Sequence, residues 1–462
     1  MAPGPLNPAT VTTTTVLEQC HVSPSPAPAA DQPRALPLTF FDLVFWDFPP
    51  VQRLFFYANA DVLDVQNFQD SELPRFKKSL AAALHQFYPL AGTLPCELGP
   101  EGVTPPPEVA FKEGDSVRLT VAVSADDFHD LAGDHPRDTD RLRPLLPSLL
   151  PQHGGGSRRQ DVLAVQLRCV HEGRGRHHED VGRHTPLGPA DLCTKVVVGP
   201  PPPLLDRGVV RDDAGLRDAF VRDHRDLAAA GDARLADWDL SRRPAGGSVV
   251  VLATFRFTAK QLARLGSHVE AQTAARCSPY ALACGAAWAG ILHARRNTDA
   301  TAPSDACFGF VTGCKPRVSP PIPANYFGNC LGLCRVELGP TTTTTAAKLA
   351  AAIWRVIAGL AEEEGRALRD ARGWVRCVRE YAARRAVTVA GSPKLGVYGV
   401  DFGGGWGRPA KVEIASVERT GALALAEDGD GDDGGIEVGL ALPRAEMDAF
   451  RSFYHQLFAS LD

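Results

Sequence analysis

The sequence predicts an α/β protein of two domains, and three observations carry that expectation. Runs rich in β-branched and aromatic residues alternate with segments of helical period in both halves of the chain. The 462 residues suffice for two domains at roughly 100 to 200 residues each. The 44% hydrophobic and 22% charged composition, with a formal net charge of -5, is that of a globular chain and offers no basic footprint for nucleic acid or an anionic membrane. The first residues carry neither a basic start nor a continuous apolar run, so no secretory signal is expected, and the apolar stretch 280–292 is too short to span a bilayer. Eleven cysteines without a matching histidine set point to reduced, mostly buried thiols in a cytoplasmic protein rather than to disulfides or a metal site.

In chain order, residues 11–20 are rich in threonine and read as a strand, followed by the proline-stiffened connection Ser23-Pro-Ser-Pro-Ala-Pro. Pro37-Leu-Thr-Phe-Phe-Asp-Leu-Val-Phe-Trp46 is dense in aromatics, which belong in a core or along a substrate channel. Residues 51–57 read as an adjacent strand. Leu73, Phe76, Leu80, Leu84 and Phe87 recur at three- and four-residue spacing, which predicts an amphipathic helix ended by Pro89, and 90–94 then turns into a strand. Residues 101–122 are expected to form a small strand pair around a proline-rich turn. The charged, proline-rich stretch 126–151 is expected at the surface, and 162–167 resumes a strand entering the middle of the protein.

In the second half, 215–229 is a polar helix candidate, 237–247 a linker, and 249–258 a strand with Thr258 placed to cap the helix that begins at Lys260. The segment 278–292 is small and apolar nearly all round, hence a buried helix with Ser278 before it and Pro279 at its first position. A strand and a basic turn over 308–317, a threonine-capped helix over 346–360 and a further helix over 371–386 follow. Tyr398-Gly-Val-Asp-Phe-Gly-Gly-Gly-Trp-Gly-Arg-Pro-Ala-Lys-Val-Glu413 sets Asp401 before three glycines and a lone tryptophan, a composition that specifies a tight bend. Residues 412–417 and 437–442 are strands around an acidic hairpin tip at 427–435, which lacks the order of a calcium loop. Residues 446–461 form a closing helix.

Three of these stretches carry a resemblance. Ser79-Leu80 with Leu84, Phe87-Tyr88-Pro89-Leu90-Ala91-Gly92 and Leu94 resembles the N-terminal block of the plant BAHD acyl-CoA-dependent acyltransferases. Pro320-Pro-Ile-Pro-Ala-Asn-Tyr-Phe-Gly-Asn-Cys330 resembles a block of that family's anthocyanin and phenolic glucoside malonyltransferase branch. Asp401-Phe followed by Trp406-Gly407 is similar to its DFGWG signature with two extra residues. The resemblance implies a two-lobed fold of the chloramphenicol-acetyltransferase kind, with lobes at 1–215 and 248–462 and a crossover at 216–247. It also implies a monomer with a channel reached by acyl-CoA from one face and a phenolic glycoside from the other, acyl-CoA as co-substrate, and neither a permanent cofactor nor a metal. Asp401, Gly403, Trp406 and Gly407 are then structural residues near the site. Ser278, Lys315 and Arg317 are candidates for coenzyme A, although Gly313-Cys-Lys-Pro-Arg317 departs from the family's Asp-Cys-Arg.

The stretch 170–200 does not fit. Its His171-Glu-Gly-Arg-Gly-Arg-His-His-Glu-Asp-Val-Gly-Arg-His-Thr-Pro186 shows no period of 2 or 3.6 and as written should form neither a core strand nor a packed helix. The family places there a central strand ending in His-His-x-x-x-Asp-Gly, whose second histidine is the general base. By position the resemblance assigns that role to His178 and a structural role to Asp180, at shortened spacing. Three readings stand: a working variant site, an inactive relative, or residues 170–200 that reflect a shifted reading frame or a mis-joined exon. Hydroxycinnamoyl donors, amine acceptors and a non-catalytic acyl-CoA-binding module are the alternatives for function.

Overall fold

The computed structural model of the chain describes residues 14–59, 65–98, 107–147, 149, 151–154, 157–170, 181–186, 201–231, 235, 249–298, 306–339, 344–362, 365–402, 406–431 and 434–461. For Asn59, 151–154, Ser157, 181–186 and Glu362 it describes the backbone alone. Two large sheets organise these residues. The first has the order Thr14–Val22, Val117–Ser124, Ala164–Val170, Val181–Pro186, Arg53–Asn59 and Lys411–Ile414. The second runs Leu331–Leu338, Ala306–Gly313, Val387–Gly391, Leu423–Glu427, Ile436–Pro443, Val250–Phe257 and the short Arg137–Asp138. Each sheet therefore takes one strand from the other half of the chain. A third, small sheet joins Ala35–Pro37, Glu108–Ala110, Thr93–Pro95, Ser157–Asp161 and Pro151–Gly154.

Helices cover the second sheet. Ala259–Thr273 starts where the sequence predicts: the Gln261 N–H donates to Thr258 Oγ1 at 3.2 Å and the Thr258 N–H to Gln261 Oε1 at 3.0 Å, closing a capping box. Pro279–Thr298 follows Ser278, whose Oγ accepts from the Ala281 N–H at 3.3 Å, and buries its small residues on every side. Ala346–Glu362 packs against it so closely that a Cβ on Gly285 would lie 2.5 Å from the Ala350 nitrogen. Arg444–Ala459 completes the layer, and Val251, Trp288, Phe308, Ile353 and Phe450 share one core. On the first sheet, Leu73–Gln86 brings Leu73, Phe76, Leu80 and Leu84 into one core with Tyr57, Leu119, Val121 and Leu167. Every described cysteine is a free thiol, and no helix among the described residues is long and apolar enough to cross a membrane.

Three expectations are corrected. Residues 108–110 and 117–124 do not pair with each other: the first lies in the small sheet and the second in the first large sheet. The intervening turn redirects the chain between layers instead of folding it back on itself. The stretch 126–151 is not a surface segment. Phe128, Leu131, Leu142 and Leu145 enter a core shared with Leu54, Val250, Leu252 and Ile414, and Arg137 is 2% exposed. Its charges mask this in the sequence because several have partners far along the chain: Arg137 and Arg143 pair with Glu413 and Glu418, and Asp134 with Lys411 and Arg256. Finally, Val181–Pro186 is a strand despite its polar sequence, in antiparallel register with Ala164–Val170 and Arg53–Asn59. Those neighbours each present backbone donors and acceptors in the middle of a buried sheet, and any backbone that fills the gap satisfies them whatever its side chains.

The helix contact gives a stability test. Gly285→Ala is expected to lower stability by about 1–3 kcal/mol through overpacking. Gly373→Ala, where a Cβ meets nothing within 4 Å, is expected to leave the urea midpoint nearly unchanged.

Candidate functional site

The glycine bend is held at three places. At its start, the Tyr398 N–H donates to Glu427 Oε1 at 2.8 Å, its carbonyl accepts from Arg408 Nε at 3.0 Å, and its hydroxyl donates to Glu437 Oε2 at 2.7 Å. That hydroxyl also accepts from the Val412 N–H at 3.2 Å, so one phenol oxygen joins the start of the bend to the strand that leaves it. In the middle, buried Trp406 donates from Nε1 to Glu72 Oε2 at 3.0 Å, stacks on Phe76 at 5.8 Å, and meets Tyr57 and Phe402 edge-on. Tyr57 in turn donates to the Val400 carbonyl at 2.9 Å. Gly407 sits at φ +66°, where a side chain would be strained. Asp401 is exposed, and Gly403 lies outside the described residues. The bend is thus docked on the Leu73–Gln86 helix, so two stretches that carry the family resemblance are packed together.

From the bend the chain enters the first sheet and brings charge into the seam between the sheets. Lys411 Nζ, 1% exposed, donates to Asp134 Oδ1 at 2.7 Å and Glu437 Oε2 at 2.9 Å. Arg137 pairs with Glu413, Thr254 Oγ1 reaches Glu413 Oε1 at 3.4 Å, and Arg143 pairs with Glu418. Arg256 Nε binds Asp134 Oδ2 at 2.7 Å and its Nη1 reaches Asp428 Oδ1 at 3.3 Å. Burial works to raise the Asp134 pKa, but Lys411 and Arg256 overcome it and hold the carboxyl below its usual range. Arg53, Thr254, Glu413 and Glu437 line a cleft here with Leu252 and Val412.

The second half presents the other candidates. Ser278 begins the buried helix. Lys315, at the end of the Ala306–Gly313 strand, donates to the carbonyls of Ala324 at 2.7 Å and Tyr326 at 2.9 Å, and burial lowers its pKa. Exposed Arg317 donates from Nη1 to the Gly313 carbonyl at 2.6 Å. Two residues unmarked by sequence reasoning hold the Tyr326-Phe-Gly-Asn turn from the first half. Arg207 Nη1 donates to Tyr326 Oη and to the Phe327 carbonyl, both at 2.6 Å, while Asp42 Oδ1 accepts from the Asn329 N–H at 3.1 Å and from its side-chain amide at 3.2 Å. Burial pushes the thiols of Cys314 to about 11 and Cys330 to about 12, which keeps both protonated at neutral pH.

His178 and Asp180 lie outside the described residues. The next described element after them is the strand Val181–Pro186. Val181–Pro186 and Lys411–Ile414 run parallel, separated by Arg53–Asn59 alone. His184 and Lys411 both register with Phe56.

A family model described as the Transferase family matches residues 247–457. An anthocyanin 5-O-glucoside malonyltransferase of Salvia splendens is 31% identical, covering 96% of this chain and 95% of its own. A malonyl-coenzyme A:anthocyanin 3-O-glucoside malonyltransferase of Dahlia pinnata is 30% identical, covering 96% of each. Among solved structures, vinorine synthase superposes with a TM-score of 0.63 at 17% identity over 95% of this chain and 96% of its own. Fusarium graminearum TRI101 in complex with coenzyme A and T-2 mycotoxin gives 0.54 at 15% identity over 90% of this chain and 97% of its own. These structural likenesses show the fold, the two-lobed α/β fold of the chloramphenicol-acetyltransferase kind. At 31% identity over nearly its full length, the chain belongs to the BAHD family of acyl-CoA-dependent acyltransferases.

The depressed Asp134 carboxyl sets an acid limb. The unfolded chain takes up that proton first, so the stabilisation is complete above the ordinary aspartate range near pH 4 and is lost as pH falls through the lower folded value. The melting temperature is expected to drop between pH 5 and pH 3, and Asp134→Asn is expected to flatten that drop while lowering stability at pH 7.

Proposed function

We propose that the chain transfers an acyl group from acyl-CoA, malonyl-CoA being the favoured donor, to a hydroxyl of a phenolic or flavonoid glucoside. The observation that carries this is the run of relatives matched over nearly their full length. The Salvia and Dahlia enzymes and an Arabidopsis thaliana phenolic glucoside malonyltransferase, 28% identical over 96% of this chain, are named for malonyl transfer to glucosides. A 29% identical Arabidopsis enzyme named for coumaroyl transfer keeps a hydroxycinnamoyl donor as the alternative.

In this proposal His178 deprotonates the acceptor hydroxyl, which attacks the thioester carbonyl; the tetrahedral oxyanion collapses and coenzyme A leaves after protonation. Asp180 shapes the base's surroundings. Asp401, Gly403, Trp406 and Gly407 hold the bend. Ser278, Lys315 and Arg317 face coenzyme A, with Arg317 the better phosphate partner because Lys315 already donates to two carbonyls. The lobes are 1–215 and 248–462, joined through 216–247, and the enzyme works as a cytoplasmic monomer.

One observation favours a second reading, that residues 170–200 come from a shifted frame or mis-joined exon. Arg183, His184 and Pro186 occupy a strand between Ala164–Val170, buried throughout, and Leu54 to Tyr57, each 0% exposed. Such a position calls for apolar residues.

The test incubates the purified chain with malonyl-CoA or coumaroyl-CoA and a flavonoid glucoside, with products read by mass. A malonyl ester is expected, and His178→Ala is expected to cut kcat about 100- to 10,000-fold. A His178→Ala enzyme as fast as the parent contradicts the assigned base. Sequencing the native transcript across codons 165–200 decides the second reading: an intact His-His-x-x-x-Asp-Gly there supports it, and the sequence as given refutes it.

A further inference from the structure

We propose that the seam between the two large sheets binds one structural water, which donates to Glu413 Oε2 on the first sheet and to Thr254 Oγ1 on the second.

The site is built from both sides. Arg53 and Glu413 reach a cavity from neighbouring strands of the first sheet, Thr254 and Glu437 from neighbouring strands of the second, and all four are at most 9% exposed. The cavity volume is about 20 Å³, and roughly 10–15 Å³ suffices for one water. Two of these polar groups are short of partners in complementary ways. Glu413 Oε1 is taken, because Arg137 pairs with it and the Thr254 hydroxyl reaches it at 3.4 Å. Oε2 of the same carboxylate is buried and has no hydrogen-bond partner among the described residues. At 3.4 Å the Thr254 hydroxyl is itself poorly served, since an O–H···O bond is ordinarily roughly 2.5–3.0 Å long. A carboxylate oxygen can be satisfied only by a donor, and a water brings two, one for Glu413 Oε2 and one for a lone pair of Thr254 Oγ1.

Glu437 does not compete for that water. Its Oε1 accepts from the Gly429 N–H at 3.2 Å, and its Oε2 accepts from Lys411 Nζ at 2.9 Å and from the Tyr398 hydroxyl at 2.7 Å. The charge count selects water over a sodium or potassium ion. Glu413 is matched by Arg137 and Glu437 by Lys411, and Arg53 adds a further positive charge to the wall. A neutral ligand fits there, and a guanidinium with five N–H groups is a donor of the kind that the water's own oxygen needs. The water completes the Arg137 and Glu413 pair, whose free oxygen would otherwise be desolvated without compensation. It also ties the edge strand Lys411–Ile414 of the first sheet to Val250–Phe257 of the second through a single molecule.

The experiment crystallises the full-length chain with rubidium chloride as the only added salt, rubidium being the probe for a potassium-like ion. The expected map shows one ordered oxygen about 2.6–3.2 Å from both Glu413 Oε2 and Thr254 Oγ1, without an anomalous rubidium signal. In solution, oxygen-17 magnetic relaxation dispersion is expected to count one long-lived water fewer in Thr254→Val, where a methyl replaces the hydroxyl, than in the parent. Thr254→Ser, which keeps the hydroxyl, is expected to match the parent. A rubidium peak at Glu413 Oε2 overturns the proposal in favour of a cation. A dry cavity, or a protein side chain bonded to Oε2, overturns the site. Equal counts in the parent and Thr254→Val overturn Thr254 as the second partner, and where that variant does not fold the map of the parent alone decides.

Discussion

The structure depends on an exchange of strands across the chain's two halves and on the charges that exchange carries inward. Lys411–Ile414 completes the first sheet, whose other strands all come from residues before 187, and Arg137–Asp138 completes the second, built otherwise from residues after 249. Lys411 and Glu413 ride on the first of these and Arg137 on the second, so their pairing is forced by topology. Each is at most 5% exposed. A buried charge without its partner is strongly destabilising, whereas a matched pair costs little more than an apolar one. The seam therefore acts less as a source of stability than as a condition on register: slip of either strand by one residue turns its side chains to the opposite face and strands several charges.

That condition reaches the two stretches of the second half that carry the family resemblance. The glycine bend ends where Lys411 enters the seam, begins at a tyrosine bound to Glu437 of the same seam, and is docked midway by Trp406 on Glu72 and Phe76. At the far side, Arg207 and Asp42 from the first half grip the Tyr326-Phe-Gly-Asn turn of the second. The two family blocks of the C-terminal half are thus each held by residues of the N-terminal half. The relative placement of these blocks is therefore set by hydrogen bonds that cross from one half of the chain to the other.

Much of this fold was legible in the sequence. The helices at 73–86, 259–273 and 279–298 announced themselves through period, cap and small-residue composition, and the strands at 53–59 and 250–257 through aromatic and β-branched runs. What was hidden was long-range. Arg137 looked like surface because its neutralising partner Glu413 lies 276 residues away. Arg207 and Asp42 carried no local signal, since their partners are groups of a distant turn. The opposite failure occurred at 181–186, where side-chain pattern argued against a strand but the open edges on either side recruited the backbone. For the candidate site, the glycine bend and the Tyr326 turn were proposed from composition and resemblance; the hydrogen bonds by which Tyr398 and Glu437 hold the bend carried no sequence signal.

A double-mutant cycle on Arg137 and Glu413, read by equilibrium urea unfolding, tests the paired-charge seam most directly. Arg137→Met and Glu413→Leu are each expected to cost about 3–5 kcal/mol by leaving the partner charge buried and unpaired. The double variant is expected to recover most of that loss, with a coupling of at least about 2 kcal/mol. Single variants near parent stability, or a double variant whose loss equals the sum of the two, would contradict a seam organised by paired buried charge.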